Sequence, residues 1–209
     1  MTADTGTTGP AGCRRRRASL TERRERHAAV DDPSIVLEAA ARFLEPRARS
    51  VAEVRRRLTG AGYRVDLVDG AIERMLELGM LDDEAFARAW IESRDRARPR
   101  GERAIRSELA QKGVDRTTID LVLEERREAA AGVPGDPDGD DTVVSADEAA
   151  AGRLIGRNAR SLARVADPRQ RRQRAYALLA RNGFDPEVCR LVAARVGDAA
   201  GPEAAELGE

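Results

Sequence analysis

Two adjacent carboxylates, Asp82 and Asp83, come nearest in this chain to residues whose type and spacing could do acid–base chemistry. A carboxylate pair can exchange protons with a substrate, but catalysis also needs a nucleophile or a base within reach. No His, Cys or Ser is placed to work with these two. The same pair can open a helix, because an N-cap oxygen accepts hydrogen bonds from free amides and acids suit that end of the helix dipole. We prefer the helix cap and keep the catalytic pair as the alternative.

The residues on either side of the carboxylates predict the end of one helix and the start of another. Gly79 follows an apolar helical pattern and can take the left-handed conformation that ends a helix. Phe86 and Trp90 stand four residues apart, on one face of the helix that follows. Trp90 is the only Trp, and aromatic residues make up 3% of the chain. We therefore expect this pair to anchor the centre of the core.

The composition predicts helices with narrow apolar faces. Hydrophobic residues make up 41% of the chain and charged residues 35%, so a core must be built from apolar stripes between charged faces. Helix starts are indicated by Ser50 with Glu53, and by Asp-Pro pairs at 32–33, 167–168 and 185–186. No strand-like alternation is present. The predicted fold class is all-α.

A repeated pattern divides the helices into three units. Each unit has a core Leu four residues before a Gly that can end a helix, and an apolar residue follows that Gly. The three pairs are Leu58 and Gly62, Leu109 and Gly113, and Leu179 and Gly183. This spacing predicts a tandem array of three-helix repeats.

The expected organisation has three repeats, two tails and one insertion. The boundaries are a disordered basic tail at 1–31, repeats at 32–79 and 80–128, a flexible acidic insertion at 129–148, a third repeat at 149–197 and a disordered acidic tail at 198–209. The basic tail has two interpretations, a solvated segment or an arm that adds affinity for nucleic acid.

The net charge of zero conceals a segregation of charge along the chain. Residues 129–148 carry six acids and no basic residue, whereas residues 149–196 carry eleven Arg and three acids. Blocks of alternating sign suggest basic surfaces for a polyanion and acidic segments that could screen them.

Two groups of basic residues are candidates for partner or DNA binding, each with a solvated helix face as the alternative. The first group lies around a helix junction of the second repeat and comprises Arg94, Arg98, Arg100, Arg103, Arg106 and Lys112. The second forms one stripe along a helix of the third repeat and comprises Arg153, Arg157, Arg160 and Arg164.

Several classes of function are disfavoured. The sequence has no Gly-rich phosphate loop, no metal-ligand cluster and no nucleophile–base set, so we expect no enzyme, cofactor or metal. Cys13 and Cys189 do not form a metal motif. No apolar run is long enough to span a membrane, and no secretory signal is apparent. We expect a cytoplasmic protein.

The run from Gly79 to Trp90, with the order Gly-Met-Leu-Asp-Asp-x-x-Phe-Ala-x-x-Trp, resembles the central signature of the RecX regulatory protein family. The continuation is similar in Arg94, Gly101, Ile105, Glu108, Leu109, Lys112, Gly113, Val114 and Ile119. The first repeat is similar in Arg49-Ser50, Glu53-Val54 and Leu58. The resemblance covers about 35–196 and leaves out the Arg-rich tail and the acidic insertion.

The resemblance implies a fold and a function. The fold would be three tandem three-helix repeats in an elongated, curved monomer. The protein would bind the RecA recombinase filament on single-stranded DNA, lying in its groove, and touch DNA weakly or through the filament. It would inhibit ATP hydrolysis, strand exchange and the coprotease activity that triggers the SOS response. The residues alone leave two other functions open, a stand-alone helical DNA-binding protein and a scaffold for another protein.

Overall fold

Regular secondary structure is entirely helical in the part of the chain that the computed structural model describes, residues 19–131 and 144–198. The prediction of an all-α protein is confirmed. The helices are α1 (Leu20–Ala28), α2 (Pro33–Leu44), α3 (Val51–Ala61), α4 (Val65–Glu77), α5 (Asp83–Ala97), α6 (Glu102–Lys112), α7 (Arg116–Ala131), α8 (Ala146–Ala163), α9 (Pro168–Arg181) and α10 (Pro186–Asp198).

The helices form three repeats, α2–α4, α5–α7 and α8–α10, and each repeat has a core of its own. Met75 is fully buried in the first core, Leu109 in the second and Leu179 in the third. These residues lie on the apolar stripes that the sequence predicts, and their burial against neighbouring helices supplies most of the stability of such short helices.

Local side chains start the helices where the sequence predicts. The carboxylates of Asp32 and Asp167 accept hydrogen bonds from backbone amides two residues later, at 2.9 Å in both cases. Pro follows each of them at the first helical position, where its missing N–H costs nothing. The Ser50 hydroxyl accepts from the Glu53 amide at 3.1 Å, but the Glu53 carboxylate turns elsewhere and does not complete a capping box.

The helix-ending glycines are confirmed as well. Gly62, Gly113 and Gly183 have φ angles of +106°, +83° and +81°. Side chains are strained in this left-handed region, which is why Gly is found there. Gly79 also has a positive φ, +66°, and follows Leu78, the C-cap residue of α4.

The second helices of the repeats meet end to end. At the first junction, between repeats one and two, the Ser50 hydroxyl at the start of α3 donates to the Lys112 carbonyl at the end of α6, at 2.6 Å. At the second junction, between repeats two and three, the Gly101 amide at the start of α6 donates to the Asn182 carbonyl at the end of α9, at 3.0 Å. In both junctions the start of one second helix therefore covers the end of the next.

Glycine is required at these junctions by close approach as well as by conformation. A Cβ on Gly113 would lie 2.3 Å from the Ala52 Cβ, and a Cβ on Gly183 would lie 2.4 Å from the Ala104 Cβ. A Cβ on Gly101 would lie 2.3 Å from the Gly183 carbonyl oxygen. The repeats are thus packed without room for a methyl group.

The structure corrects two predicted boundaries. Residues 20–28 form α1, inside the stretch 1–31 for which the sequence predicts a disordered basic tail. The helix begins with a capping box between Ser19 and Glu22 and packs on α3, contacts that composition does not reveal. Helix α8 begins at Ala146, inside the stretch predicted as a flexible acidic insertion. Residues 1–18, 132–143 and 199–209 lie outside the described part.

Some large apolar residues of the helices are exposed. Ile35, Leu76 and Leu191 are 45%, 46% and 42% exposed, because the buried stripe of each small helix is narrower than its apolar pattern. Trp90 is half-buried and lies at the edge of the second core, so the expectation that it anchors the centre is wrong. Phe86, one turn earlier, is buried as predicted.

Candidate nucleic-acid and partner interface

The Asp82–Asp83 pair caps two different helices. The Asp82 carboxylate accepts from the Ala85 amide at 2.9 Å and starts α5. The Asp83 carboxylate accepts from the Val51 amide at 2.9 Å, which is the first amide of α3 in the preceding repeat. Asp83 therefore belongs to the first junction, a role that its position on α5 did not indicate.

Burial makes the carboxyl group of Asp83 a weaker acid than an ordinary aspartate, because its pKa is raised. Loss of hydration raises the pKa of its carboxyl group above the ordinary value, and the nearby carboxylates of Asp115, Asp82 and Glu53 act in the same direction. The hydrogen bond from Val51 opposes this effect without cancelling it.

Trp90 lies between two cations. The Arg94 guanidinium carbon is 4.3 Å from the centre of the indole, and the Lys112 ammonium is 5.0 Å from it. The indole N–H donates to the Glu108 carboxylate at 2.8 Å, and Arg94 donates to the same oxygen at 2.6 Å. Cation–π attraction and these hydrogen bonds hold Trp90 at the surface of the second repeat.

Lys112 connects this cluster to the first repeat. Its ammonium donates to Glu53 at 2.7 Å, and both side chains are largely buried. Burial by itself would raise the pKa of Glu53. However, the hydrogen bond and charge of Lys112, with smaller contributions from the Ser50 backbone and Arg47, together bring the pKa below its usual value. Lys112 is therefore held inside a junction and is not presented to a partner.

The other arginines of the second-repeat group, with one exception, are also paired. Arg100 donates to the Asn182 side chain at 2.8 Å and lies 3.7 Å from Glu108. Arg103 pairs with Asp185 of the third repeat at 3.0 Å. Arg106 pairs with Asp120 and Glu102. These contacts connect neighbouring helices and neighbouring repeats.

Arg98 is the exception in that group. It is exposed, it follows the last residue of α5, and it makes no ion pair within the described residues. Its guanidinium remains available for a ligand.

The third-repeat stripe divides into two halves. Arg153 lies 3.3 Å from Asp95, and Arg157 donates to the carbonyls of Arg96 and Ala97 at the end of α5. Arg160 and Arg164 are exposed and make no ion pair with any residue that the structure describes.

The free half of the stripe follows the point where α8 contacts the end of α5. Arg157 touches the carbonyl of Ala97, the residue before Arg98. Because a helix advances about 1.5 Å per residue, Arg160 is about 4.5 Å and Arg164 about 10 Å further along α8. We call Arg98, Arg160 and Arg164, the unpaired arginines that follow this contact between repeats two and three along their helices, the free arginine patch.

One central residue of the second junction was missed by the sequence analysis. Arg126 of α7 is only 8% exposed and donates to both oxygens of Asp95, each at 3.0 Å, and to Asp147 at 2.7 Å. Asp147 also accepts from the Glu102 amide at 3.0 Å and so caps α6 as Asp83 caps α3. The only sequence signal was Asp147 at the start of α8, which we assigned to the acidic insertion.

The described segments contain neither a candidate metal site nor a candidate membrane-spanning helix. They contain no cluster of three His, Cys, Asp or Glu residues that could hold a metal ion. None of their helices is long and apolar enough to cross a membrane.

Comparison with known proteins gives consistent matches. The family model described as "RecX, first three-helix domain" matches residues 37–75, and "RecX, second three-helix domain" matches residues 82–123. The chain is 34% identical over 136 residues to "Regulatory protein RecX" of Mycolicibacterium vanbaalenii, covering 57% of this chain and 70% of the relative. It is 30% identical over 156 residues to the protein of the same name from Mycobacterium avium, covering 74% and 81%.

The fold is similar to a solved structure, RecX from Lactobacillus salivarius. The TM-score is 0.63 at 17% sequence identity, and the match covers 79% of this chain and 97% of the other. At this identity the likeness concerns the fold alone.

Proposed function

Because this chain belongs to the RecX family of regulatory proteins, we propose that it binds the RecA recombinase filament on single-stranded DNA and inhibits its activities. The activities are ATP hydrolysis, strand exchange and the coprotease activity. The protein acts as a monomeric, cytoplasmic, non-enzymatic modulator of recombination, DNA repair and the SOS response.

The observation that carries the proposal is an array of tightly joined repeats that carries unpaired arginines where its second and third repeats meet. Repeats stacked through close junctions provide an extended surface, which suits a long, periodic partner such as a filament. Guanidinium groups without acidic partners suit phosphate oxygens, which they can bind through two parallel hydrogen bonds.

The contacts of the ten basic residues leave three arginines as the proposed binding site. Of the ten basic residues selected from the sequence, seven have partners within the chain, in their own repeat or a neighbouring one: Arg94, Arg100, Arg103, Arg106, Lys112, Arg153 and Arg157. The free arginine patch of Arg98, Arg160 and Arg164 is the part that meets the filament or its DNA.

The test is a titration of RecA ATP hydrolysis on single-stranded DNA with the full chain. We expect inhibition well below one molecule per recombinase monomer. The triple variant Arg98→Gln, Arg160→Gln and Arg164→Gln should inhibit at least tenfold more weakly. The slope of its log apparent affinity against log salt concentration should be flatter by about 2, which is about 0.7 for each lost phosphate contact.

The matched control removes the same charge elsewhere. Arg42, Arg74 and Arg96 are exposed, and among the described residues each forms an ion pair with one acid, on its own helix. Their triple Gln variant should inhibit like the wild type. No inhibition by the wild type, together with tight binding to duplex DNA, would reject the filament proposal in favour of a stand-alone DNA-binding protein.

A further inference from the structure

A second basic site lies at the opposite end of the first repeat from the first junction, where α1 packs on the end of α3. The two helices enclose a cleft of about 360 Å³, at the small end of the range for ligand sites of about 300–1,000 Å³. Its polar side chains are Arg23, Arg24 and His27 from one face of α1 and Arg57 from α3. None of the described residues that line it is acidic.

Two of the four basic side chains hold α1 in place. Arg24 donates through Nε to the Gly60 carbonyl at 3.2 Å, and His27 Nδ1 is 2.8 Å from the Ala61 carbonyl. Because a carbonyl can only accept, Nδ1 must carry the proton of this hydrogen bond. The His27 ring also stacks on Tyr63 with centroids 4.3 Å apart. These contacts satisfy the carbonyls that α3 leaves free at its end.

The other two basic side chains are left without an anion. Arg23 and Arg57 are exposed, and neither makes an ion pair within the described residues. Arg57 has only a distant contact with the Phe43 ring, 5.7 Å from its centroid. By contrast Arg55 and Arg64, on the neighbouring surface, both pair with aspartates.

We propose that this cleft binds phosphate groups of a single-stranded DNA backbone, held between the Arg23 and Arg57 guanidinium groups. Two planar guanidiniums facing an acid-free cleft match the charge and the bidentate geometry of a phosphodiester. The inference rests on the proposed function, because the strand inside the filament is the nucleic acid that the protein would meet. It adds a DNA contact in the first repeat to the free arginine patch at the second junction.

The experiment measures binding of the full chain to a fluorescent 20-nucleotide oligo(dT) by anisotropy across a salt series. The double variant Arg23→Gln and Arg57→Gln should bind on the order of tenfold more weakly at 0.1 M salt, with a salt slope flatter by about 1.4, since each phosphate contact contributes about 0.7. Neither residue makes an ion pair in the described part of the chain, so the melting temperature should stay unchanged.

The control is Arg26→Gln with Arg42→Gln, which removes the same charge from α1 and α2 outside the cleft. Arg26 bonds to the Glu22 carbonyl and Arg42 to Glu38, each within its own helix. Equal affinity and slope in the two double variants would overturn the proposal, as would a wild type that does not bind the oligonucleotide.

A further arm separates the DNA backbone from free phosphate. Displacement of the oligonucleotide by millimolar inorganic phosphate at constant ionic strength would assign the cleft to free phosphate and overturn the assignment to DNA. Each of these failures is distinct from a failure of the proposed function, which is read from ATP hydrolysis and involves the free arginine patch.

Discussion

The side chain of Asp83 joins two repeats, but its burial between them destabilises the charged form of the carboxyl group. It caps α3 from α5, and burial there raises its pKa above the ordinary value of 3.8. The folded chain therefore binds a proton to this group more readily than the unfolded chain does. As the pH falls from above the raised pKa towards 3.8, Asp83 alone makes the fold more stable, and this gain is lost as the pH rises again.

The direction of this pH dependence gives a prediction for Asp83→Asn, whose side chain cannot titrate. Unfolding in urea, measured from pH 7 to pH 4, should show the wild type gaining stability relative to the variant as the pH falls. Subtracting the variant removes the opposite trend of groups such as Glu53 and Glu102, whose pKa values are lowered. A wild type that loses stability relative to Asp83→Asn as the pH falls would contradict the role of buried Asp83. Asp82→Asn serves as the exposed neighbour control.

At the scale of the helix, local residue types predicted most of the fold. Starts at Asp32, Ser50, Asp82 and Asp167 and the Gly ends depend on hydrogen bonds within a few residues, so the sequence displays them directly. Helix α1 has a local start signal as well, Ser19 with Glu22, which the sequence analysis missed. Its packing, however, depends on contacts of Arg24 and His27 with the distant end of α3.

The functional residues were harder to predict for the same reason. Arg103 and its partner Asp185 are 82 residues apart in the chain, so nothing local distinguishes it from an unpaired arginine such as Arg98. Sequence spacing found the basic stripe, but it could not reveal that the end of α5 occupies Arg157.

The junction between helix ends gives a prediction for two glycines. Gly79→Ala should cost about 1–2 kcal/mol, because its positive φ strains any side chain while the added methyl meets nothing. Gly113→Ala should cost about 1–3 kcal/mol more, since its methyl would overlap Ala52. Chemical denaturation of both variants measures the difference.

A compensating change isolates the contact. Ala52→Gly removes the methyl that Gly113→Ala would meet, so in that background the second substitution should cost no more than Gly79→Ala. If the extra cost persists, the close approach across the first junction is not its source.

At the scale of the molecule, Arg126 joins three helices from two repeats. It connects α7 to Asp95 of α5 and to Asp147 of α8 from a nearly buried position. Arg126→Ala leaves those carboxylates without their main partner and should cost about 3–5 kcal/mol. We expect thermal unfolding of this variant to show an early transition for the third repeat.

Its neighbour provides the control. Arg127 pairs with Glu102 and Glu124 but is 46% exposed, so Arg127→Ala should cost about 0–1 kcal/mol and keep a single transition. Equal effects of the two substitutions would show that the second junction does not depend on the buried ion pairs.

The position of α1 on the end of α3 has a consequence for assembly. Arg24 and His27 cover the carbonyls of Gly60 and Ala61, as Ser50 covers that of Lys112 and Gly101 covers that of Asn182. The α1 helix thus fills the place at which another second-helix start could dock. Such contacts have a direction, and repeated between molecules they would build open-ended fibres. Because α1 occupies the end of α3, the start of a second helix from another molecule could dock there only by displacing it.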